Sequence, residues 1–197
     1  MGTLFVDKLD PQSGTSLELG SSGDTMTVPS GATLSIAGTI NASSGTATGF
    51  GGANTPFFLA ERTSPEQQIS DNTVTKIEFQ TETLDSGTVY DPSTNYRFTP
   101  GVAGKYYVFA GAGLSGDANN QFLDGSLYIY KNGSEEVSAH VNAAENYPRT
   151  LNFQIAHIFD LDADDYIEIY GYVNRQSAGN ARVQASNNSY FGAFKLI

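Results

Sequence analysis

Apolar and polar residues alternate with a period of two in short runs over most of the chain. The run Lys105–Ala110 is dense in β-forming residues, and Arg149–Asp160 places Leu, Phe and Ile at alternate positions. Turn-forming residues separate such runs, as at Asp91–Ser93. The pair Asn132-Gly133 predicts a type I′ hairpin, because both central residues of that turn need φ > 0. Counting gives about ten short strands and no helix, which predicts an all-β, ten-stranded jelly-roll β-sandwich over residues 56–197.

Residues 1–50 carry a shorter and more regular repeat. Three similar pieces, Thr15–Gly20, Asp24–Pro29 and Ala32–Ala37, each contain two apolar side chains between Gly and Ser turns, with a period of eight to nine residues. The apolar positions are Leu17, Leu19, Met26, Val28, Leu34 and Ile36. One chain cannot bury so thin a stripe, so we expect a sister chain or a host surface to cover it. The repeat therefore predicts a thin β shaft or anchor, with a disordered low-complexity leader as the alternative; residues 51–55 form a Gly-rich linker.

The sandwich region resembles a known family. Tyr90, Phe98, Pro100, Gly104 and Tyr106 fall at or near the positions of the core motif of C1q-like domains. Four further stretches resemble that family in the right order: Phe57–Glu61, Leu127–Gly133, Leu161–Ile169 and Ser189–Ile197. The resemblance to the C1q/TNF jelly roll implies a homotrimer, since C1q-like domains are homotrimeric.

Several predicted strands are apolar or aromatic on both faces, as in Tyr166–Val173. A single chain would leave many rings in water, forming a patch of a size rarely seen on monomers. Tyrosine suits an interface because it has a large apolar ring and a hydroxyl that can be satisfied where some water remains. We therefore predict that one outer sheet packs against two sister chains, the alternative being scattered surface tyrosines. The predicted interface contains Tyr106, Tyr128, Tyr130, Tyr166, Tyr170 and Tyr172.

Composition narrows the classes of partner. The chain has 10 Lys and Arg against 21 Asp and Glu, a net charge of −11, which argues against nucleic acid and anionic membranes. It has no Cys, so disulfides and thiolate chemistry are excluded. No run approaches the ~20 apolar residues of a membrane span. The first ten residues lack the basic and apolar regions of a signal peptide, so we expect the protein to be made and assembled inside a cell.

No motif for catalysis or cofactor binding stands out. The chain lacks the signatures of a nucleophile elbow, a zinc hydrolase or a phosphate-binding loop. His157 shares the predicted side of Phe153 and Ile155, so we interpret it as a packed or interface residue. The acidic cluster at Asp160–Asp165 does not fit the spacing of an EF-hand and is interpreted as a solvated turn. We predict no catalytic residue, no cofactor and no metal; calcium is possible, but no motif supports it.

These features together predict a structural role on a virus particle. The repeat in residues 1–50 resembles the shaft and anchor regions of phage fibres. The prediction is a non-enzymatic virion protein of a tailed bacteriophage, a homotrimeric short fibre or head-decorating (cement) protein assembled in the host cytoplasm. Residues 1–50 would bind capsid or tail proteins and the knob would project outward. One alternative is a tail fibre that recognises a host surface glycan through the loops Ser115–Gly125, Asn142–Arg149 and Asn174–Asn188; a second is a capsule depolymerase.

Overall fold

The computed structural model describes residues 13–15, 21–39, 54–143, 145–185 and 188–196. The chain divides into two units, Met1–Thr48 and Gly49–Ile197. Among the described residues, no helix has the length and apolar character needed to cross a membrane.

The described part of the first unit is built on regularly spaced turns. In the turns Ser21–Asp24 and Pro29–Ala32 the last N–H donates to the first C=O at 3.0 Å. Gly23 and Gly31 occupy the third positions with φ of 93° and 86°, which matches a type II turn. The segments between the turns are extended, and within residues 13–15 and 21–39 no paired strand is formed. In this unit, then, the described residues of one chain form turns without a sheet.

The apolar stripe of the repeat lies in water where it is described. Met26 is 67% exposed and Leu34 is 60% exposed, and Val28 and Ile36 are exposed as well. Leu17 and Leu19 lie outside the described residues. These four side chains are therefore free to contact another molecule.

The second unit consists of thirteen strands in its described residues, three more than the ten that the pattern predicts. Three of the thirteen are only two residues long, which is too short to show in a sequence pattern. The strands are β1 (Phe57–Glu61), β2 (Gln67–Ser70), β3 (Thr75–Lys76), β4 (Thr81–Asp85), β5 (Tyr90–Asp91), β6 (Arg97–Phe98), β7 (Gly104–Ser115), β8 (Phe122–Lys131), β9 (Ser134–Asn142), β10 (Thr150–Leu161), β11 (Ile167–Arg175), β12 (Asn180–Val183) and β13 (Tyr190–Lys195).

The strands form two antiparallel sheets packed face to face, as the predicted jelly roll requires. The first is here called the front sheet. On one side of β7, β10 pairs with its whole length; on the other side of β7 lie β13 and β12. Beyond β13 come β1 and then β4, and beyond β12 comes β2. The second, the back sheet, has the order β5-β6-β11-β8-β9, with β3 on β11. The all-β sandwich predicted from the alternating pattern is therefore confirmed.

Aromatic rings from both sheets fill the core between them. The ring of Phe58 stacks on Tyr90 at 4.7 Å and on Phe98 at 4.9 Å, and it meets Phe191 edge-on at 4.8 Å. The Tyr90 hydroxyl donates a hydrogen bond to the Phe79 carbonyl at 3.0 Å, which satisfies its one buried polar group. These rings join β1 and β13 of the front sheet to β5 and β6 of the back sheet.

Two turns named from the sequence have the expected chemistry. Asn132 and Gly133 take φ of 52° and 80°, as the type I′ hairpin between β8 and β9 requires. Asp91 accepts hydrogen bonds from the backbone N–H groups of Ser93, Thr94 and Asn95, and these bonds hold the pKa of its carboxyl well below the usual range. The β5–β6 connection is therefore fixed by one side chain.

Candidate subunit interface

The outer surface of the front sheet, here called the front face, presents rows of apolar side chains. Strand pairing aligns each row across β1, β13, β7 and β10. The first row consists of Phe57, Phe194, Tyr107 and Ile158; the second consists of Leu59, Gly192, Phe109 and Ala156, with Leu84 of β4 beside it. The third row turns polar at its ends and consists of Glu61, Tyr190, Gly111 and Gln154.

Two glycines let the rings of the front face lie close to the sheet. A Cβ atom at Gly192 would lie 2.5 Å from the Phe109 ring, and one at Gly111 would lie 2.7 Å from the Tyr190 ring. Each ring therefore covers the backbone of a glycine on the adjacent strand. The aromatic rings therefore form a surface that lies close to the sheet, in which the ring centres of Tyr107 and Phe194 are 5.4 Å apart.

The front face continues to an open edge of its sheet. Within the described residues β10 pairs with β7 alone, so its other edge has no strand partner. Ile158 on β10 is 53% exposed and lies in the first apolar row, so it extends the exposed apolar surface to this edge. A groove of about 490 Å³ lies over β7, β10 and β13 and is lined in part by Phe109, Ala156 and Tyr190. At one end the exposed ion pair of Lys105 and Asp160, with N and O 3.1 Å apart, borders the apolar rows.

The predicted interface residue Tyr106 lies in the core, so its assignment to an outer face is wrong. Its side chain is 0% exposed, its ring packs against Phe98 at 5.5 Å, and its hydroxyl donates to the Val102 carbonyl at 2.7 Å. The alternation along β7 is as expected, but the inward and outward sides are exchanged. Tyr107 and Phe109 occupy the outer side instead.

The other five predicted tyrosines share one surface, the outer side of the back sheet, here called the back face. Tyr128 and Tyr130 lie on β8, Tyr170 and Tyr172 lie on β11, and Tyr166 directly precedes β11, with the guanidinium of Arg97 on β6 4.5 Å from its ring centre. The structure brings the rings of Tyr130 and Tyr170 to 4.3 Å and those of Tyr128 and Tyr130 to 6.2 Å. Their role in a trimer stays a prediction.

Polar groups of the same chain bind the tyrosines of the back face. Tyr170 donates to Glu168 at 3.1 Å, and Glu168 in turn pairs with Lys76 at 2.6 Å. Burial, and next the Glu168 charge, raise the pKa of Tyr170 to about 12. Tyr172 donates to Asn72 at 2.6 Å, a second hydroxyl bond made within the chain. Two of the five tyrosine hydroxyls on the back face therefore have hydrogen-bond partners within the chain, whereas the aliphatic and phenyl groups of the front face have no polar group that needs a partner.

The two histidines and the acidic turn, which were considered as catalytic or metal-binding candidates, contact other side chains of the sandwich. Nδ1 of His140 lies 2.8 Å from the hydroxyl of the buried Ser126, which joins β9 to β8. His157 is exposed on β10, although Phe153 and Ile155 on the same side are buried, so it is not packed within one chain and its interface role stays a prediction. Its ring lies 4.9 Å from that of Phe159. In the acidic turn, Asp165 pairs with Lys131 at 2.8 Å and accepts a hydrogen bond from the Asp162 N–H. In the part of the chain that the structure describes, no cluster of three or more His, Asp or Glu side chains could hold a metal ion.

Comparisons with known proteins detect a fold and no family. No family model matches the chain, and no curated protein matches it. The chain is similar to the solved structure of Eiger TNF from S. frugiperda at 11% identity, covering 72% of this chain and 94% of that one with a TM-score of 0.53. It is also similar to murine APRIL at pH 5.0, at 13% identity over 72% of this chain and 98% of that one, with a TM-score of 0.53.

A murine APRIL structure at pH 8.5 gives 16% identity, the same two coverages of 72% and 98%, and a TM-score of 0.52. At such identities the likeness concerns the path of the chain and the order of its strands. The sandwich that carries the front and back faces thus has the jelly-roll fold that these TNF and APRIL structures share.

Proposed function

We propose that this protein is a homotrimeric, non-enzymatic structural protein on the surface of a tailed bacteriophage, either a short fibre or a head-decorating protein. Residues 1–50 anchor it to capsid or tail proteins, and the jelly roll projects outward as a knob. Assembly takes place inside the host cell. The observation that carries the proposal is the front face, an aromatic and aliphatic surface with an open sheet edge beside it.

The aromatic and aliphatic composition of the front face supports burial against another chain. Its three rows cross four strands about 4.8 Å apart and extend about 13 Å along each, a footprint of roughly 250 Å² that includes the polar ends of the third row. At ~25 cal/mol per Å², covering it contributes at most about 6 kcal/mol per copy before the cost of association is subtracted. In the described residues each chain has one such face, and the free edge of β10 lies beside it. If the edge of one copy packs on the face of the next with a rotation of about 120°, three copies form a closed ring that covers both surfaces.

The exposed stripe of the first unit points to the same arrangement. Met26 and Leu34 are more than half exposed in one chain, and two apolar side chains per repeat are too few to form a core alone. Three copies of the repeat, or the surface of a particle, would cover them. Attachment through this unit leaves the jelly roll free to project.

Sedimentation equilibrium of the full chain tests the oligomeric state. We expect a species of three times the 21.0 kDa chain mass at micromolar concentration. A single 21.0 kDa species under those conditions would contradict the proposal.

Electron cryomicroscopy of purified particles tests the location. We expect threefold knobs attached through their N-terminal units to the head or the tail, and the site of attachment decides between a decorating protein and a fibre. Absence of the chain from purified particles, measured by mass spectrometry, would refute the virion role. Incubation of the trimer with host capsule polysaccharide should release no new reducing ends, and their appearance would favour the depolymerase alternative.

A further inference from the structure

Three loops meet at one end of the jelly roll and enclose a polar cleft. They connect β7 to β8, β9 to β10 and β11 to β12. The cleft has a volume of about 550 Å³, within the range of small-ligand sites. Each loop contributes to its lining, which consists of Asn120, Glu145, Asn146, Tyr147, Pro148 and Gln176.

Hydrogen bonds between the loops hold the walls of the cleft in place. The Gln176 N–H donates to the Gln121 carbonyl at 2.9 Å, and the Phe122 N–H donates to the Pro148 carbonyl at 3.1 Å. The Ser177 hydroxyl donates to the side-chain oxygen of Gln121 at 2.7 Å. These bonds link the first loop to both others. A ligand would therefore meet a largely preformed site and would lose little free energy in ordering it.

The lining groups match the chemistry of a sugar. The side-chain amides of Asn120, Asn146 and Gln176 both donate and accept hydrogen bonds, as sugar hydroxyls do. Tyr147 adds a half-exposed aromatic ring, on which the apolar face of a pyranose can stack. The described lining residues include one carboxylate, Glu145, and no basic side chain, and the flanking Arg149 and Arg175 act on the charge of Asp117, so the lining itself offers an anionic ligand no cation.

We propose that this cleft binds a short neutral saccharide through its three amides and the Tyr147 ring. The cleft lies within one chain, so binding to it does not depend on the trimer or on the virion role. A trimer would present three copies and raise the avidity for a repeating polysaccharide.

Nuclear magnetic resonance of the isotopically labelled full chain tests this proposal. The probes are maltotriose, cellobiose and chitobiose, with a galacturonic acid trimer as the anionic comparison. We expect at least one neutral probe to shift the side-chain amide resonances of Asn146 and Gln176, with a Kd on the order of 1 mM. If no neutral probe shifts them at up to about 10 mM, or if the anionic probe binds more tightly, the proposal is overturned.

Substitutions then locate the bound sugar. Asn146→Ala and Gln176→Ala should each weaken binding about threefold to tenfold, the effect of losing one hydrogen bond. Tyr147→Ala should weaken it more than Tyr147→Phe, which keeps the ring. Gln68→Ala removes an exposed amide from β2 that is not among the lining residues, and should leave the Kd unchanged. These positions are exposed or half-exposed, and melting temperatures equal to that of the parent chain will show that each variant folds. Equal affinity in the parent chain and in the three Ala variants of Asn146, Tyr147 and Gln176 would place the sugar elsewhere and refute the site.

Discussion

Replacing Ile158 by Asp tests whether the front face, and no other part of the surface, forms the contact between chains. The side chain is 53% exposed in one chain and lies in an apolar row beside Tyr107. Fully burying an isoleucine contributes about 1.5–3 kcal/mol, so covering the exposed half contributes about 1 kcal/mol per copy. A carboxylate in the same contact adds a desolvation cost of several kcal/mol. The expected loss is therefore at least about 4 kcal/mol per copy, a factor of about 10³ in each association step.

The fold of a single chain should hardly change, because the substituted side chain is half in water. We expect the free energy of unfolding of the single chain to change by no more than about 0.5 kcal/mol. The stability that trimer formation adds to the parent chain is not included in that figure. Sedimentation velocity across micromolar concentrations should show a trimer for the parent chain and a monomer for Ile158→Asp. Circular dichroism should be the same for both at low concentration.

Two further variants make the experiment decisive. Val141→Asp places the same charge on an apolar side chain of β9 that is 42% exposed, outside the front face, and should stay trimeric. Tyr128→Asp places it on the back face and should also stay trimeric if the front face is the contact. A trimeric Ile158→Asp, together with a monomeric Tyr128→Asp, would refute the assignment and restore the back face as the interface.

Three other outcomes follow from the described contacts. Phe58→Ala should cost about 3–5 kcal/mol of unfolding free energy in urea titrations, because it empties the aromatic core, whereas Phe57→Ala, on the other face of the same strand, should cost far less. Gly116→Ala would place a Cβ 2.9 Å from backbone atoms across the β7–β8 loop and should lower the melting temperature, with a cost of about 1–3 kcal/mol; an unchanged melt would show that the loop can move aside. Asp165 has its pKa lowered from 3.8 to about 2 by hydrogen bonding to Lys131. A lowered carboxyl pKa stabilises the fold above the unfolded value, so stability should fall between about pH 4 and about pH 2, less steeply in Asp165→Asn; equal slopes in thermal melts would contradict this.

The local sequence pattern was sufficient to predict the main strands and turns of the sandwich. Period-two alternation and turn chemistry act between neighbours in sequence, so β7, β10 and the Asn132-Gly133 hairpin could be placed from the sequence. The matched motif around Tyr90 and Phe98 also indicated the jelly roll, and these two rings pack on the same core residue, Phe58.

Which side of a two-faced strand points inward was decided only by the tertiary structure. Along β7 both sides are aromatic or apolar, so alternation alone is consistent with either side facing the core. Tyr106 faces the core because its ring packs against Phe98 of the back sheet, and Tyr107 and Phe109 therefore lie on the outer side. A signal that could have found the front face is the placing of Gly111 and Gly192 among alternate aromatic residues, since such glycines leave room for a ring on the next strand.

The sequence by itself determined the fold class, the turn positions and the presence of more apolar surface than one chain hides, because these depend on residue type and short-range order. Only the tertiary structure decided that the surplus apolar surface lies on the front sheet, and that three loops far apart in sequence enclose one cleft. The physical reason is that strand pairing and sheet packing act between residues that are distant along the chain, and no local pattern records which of them will meet.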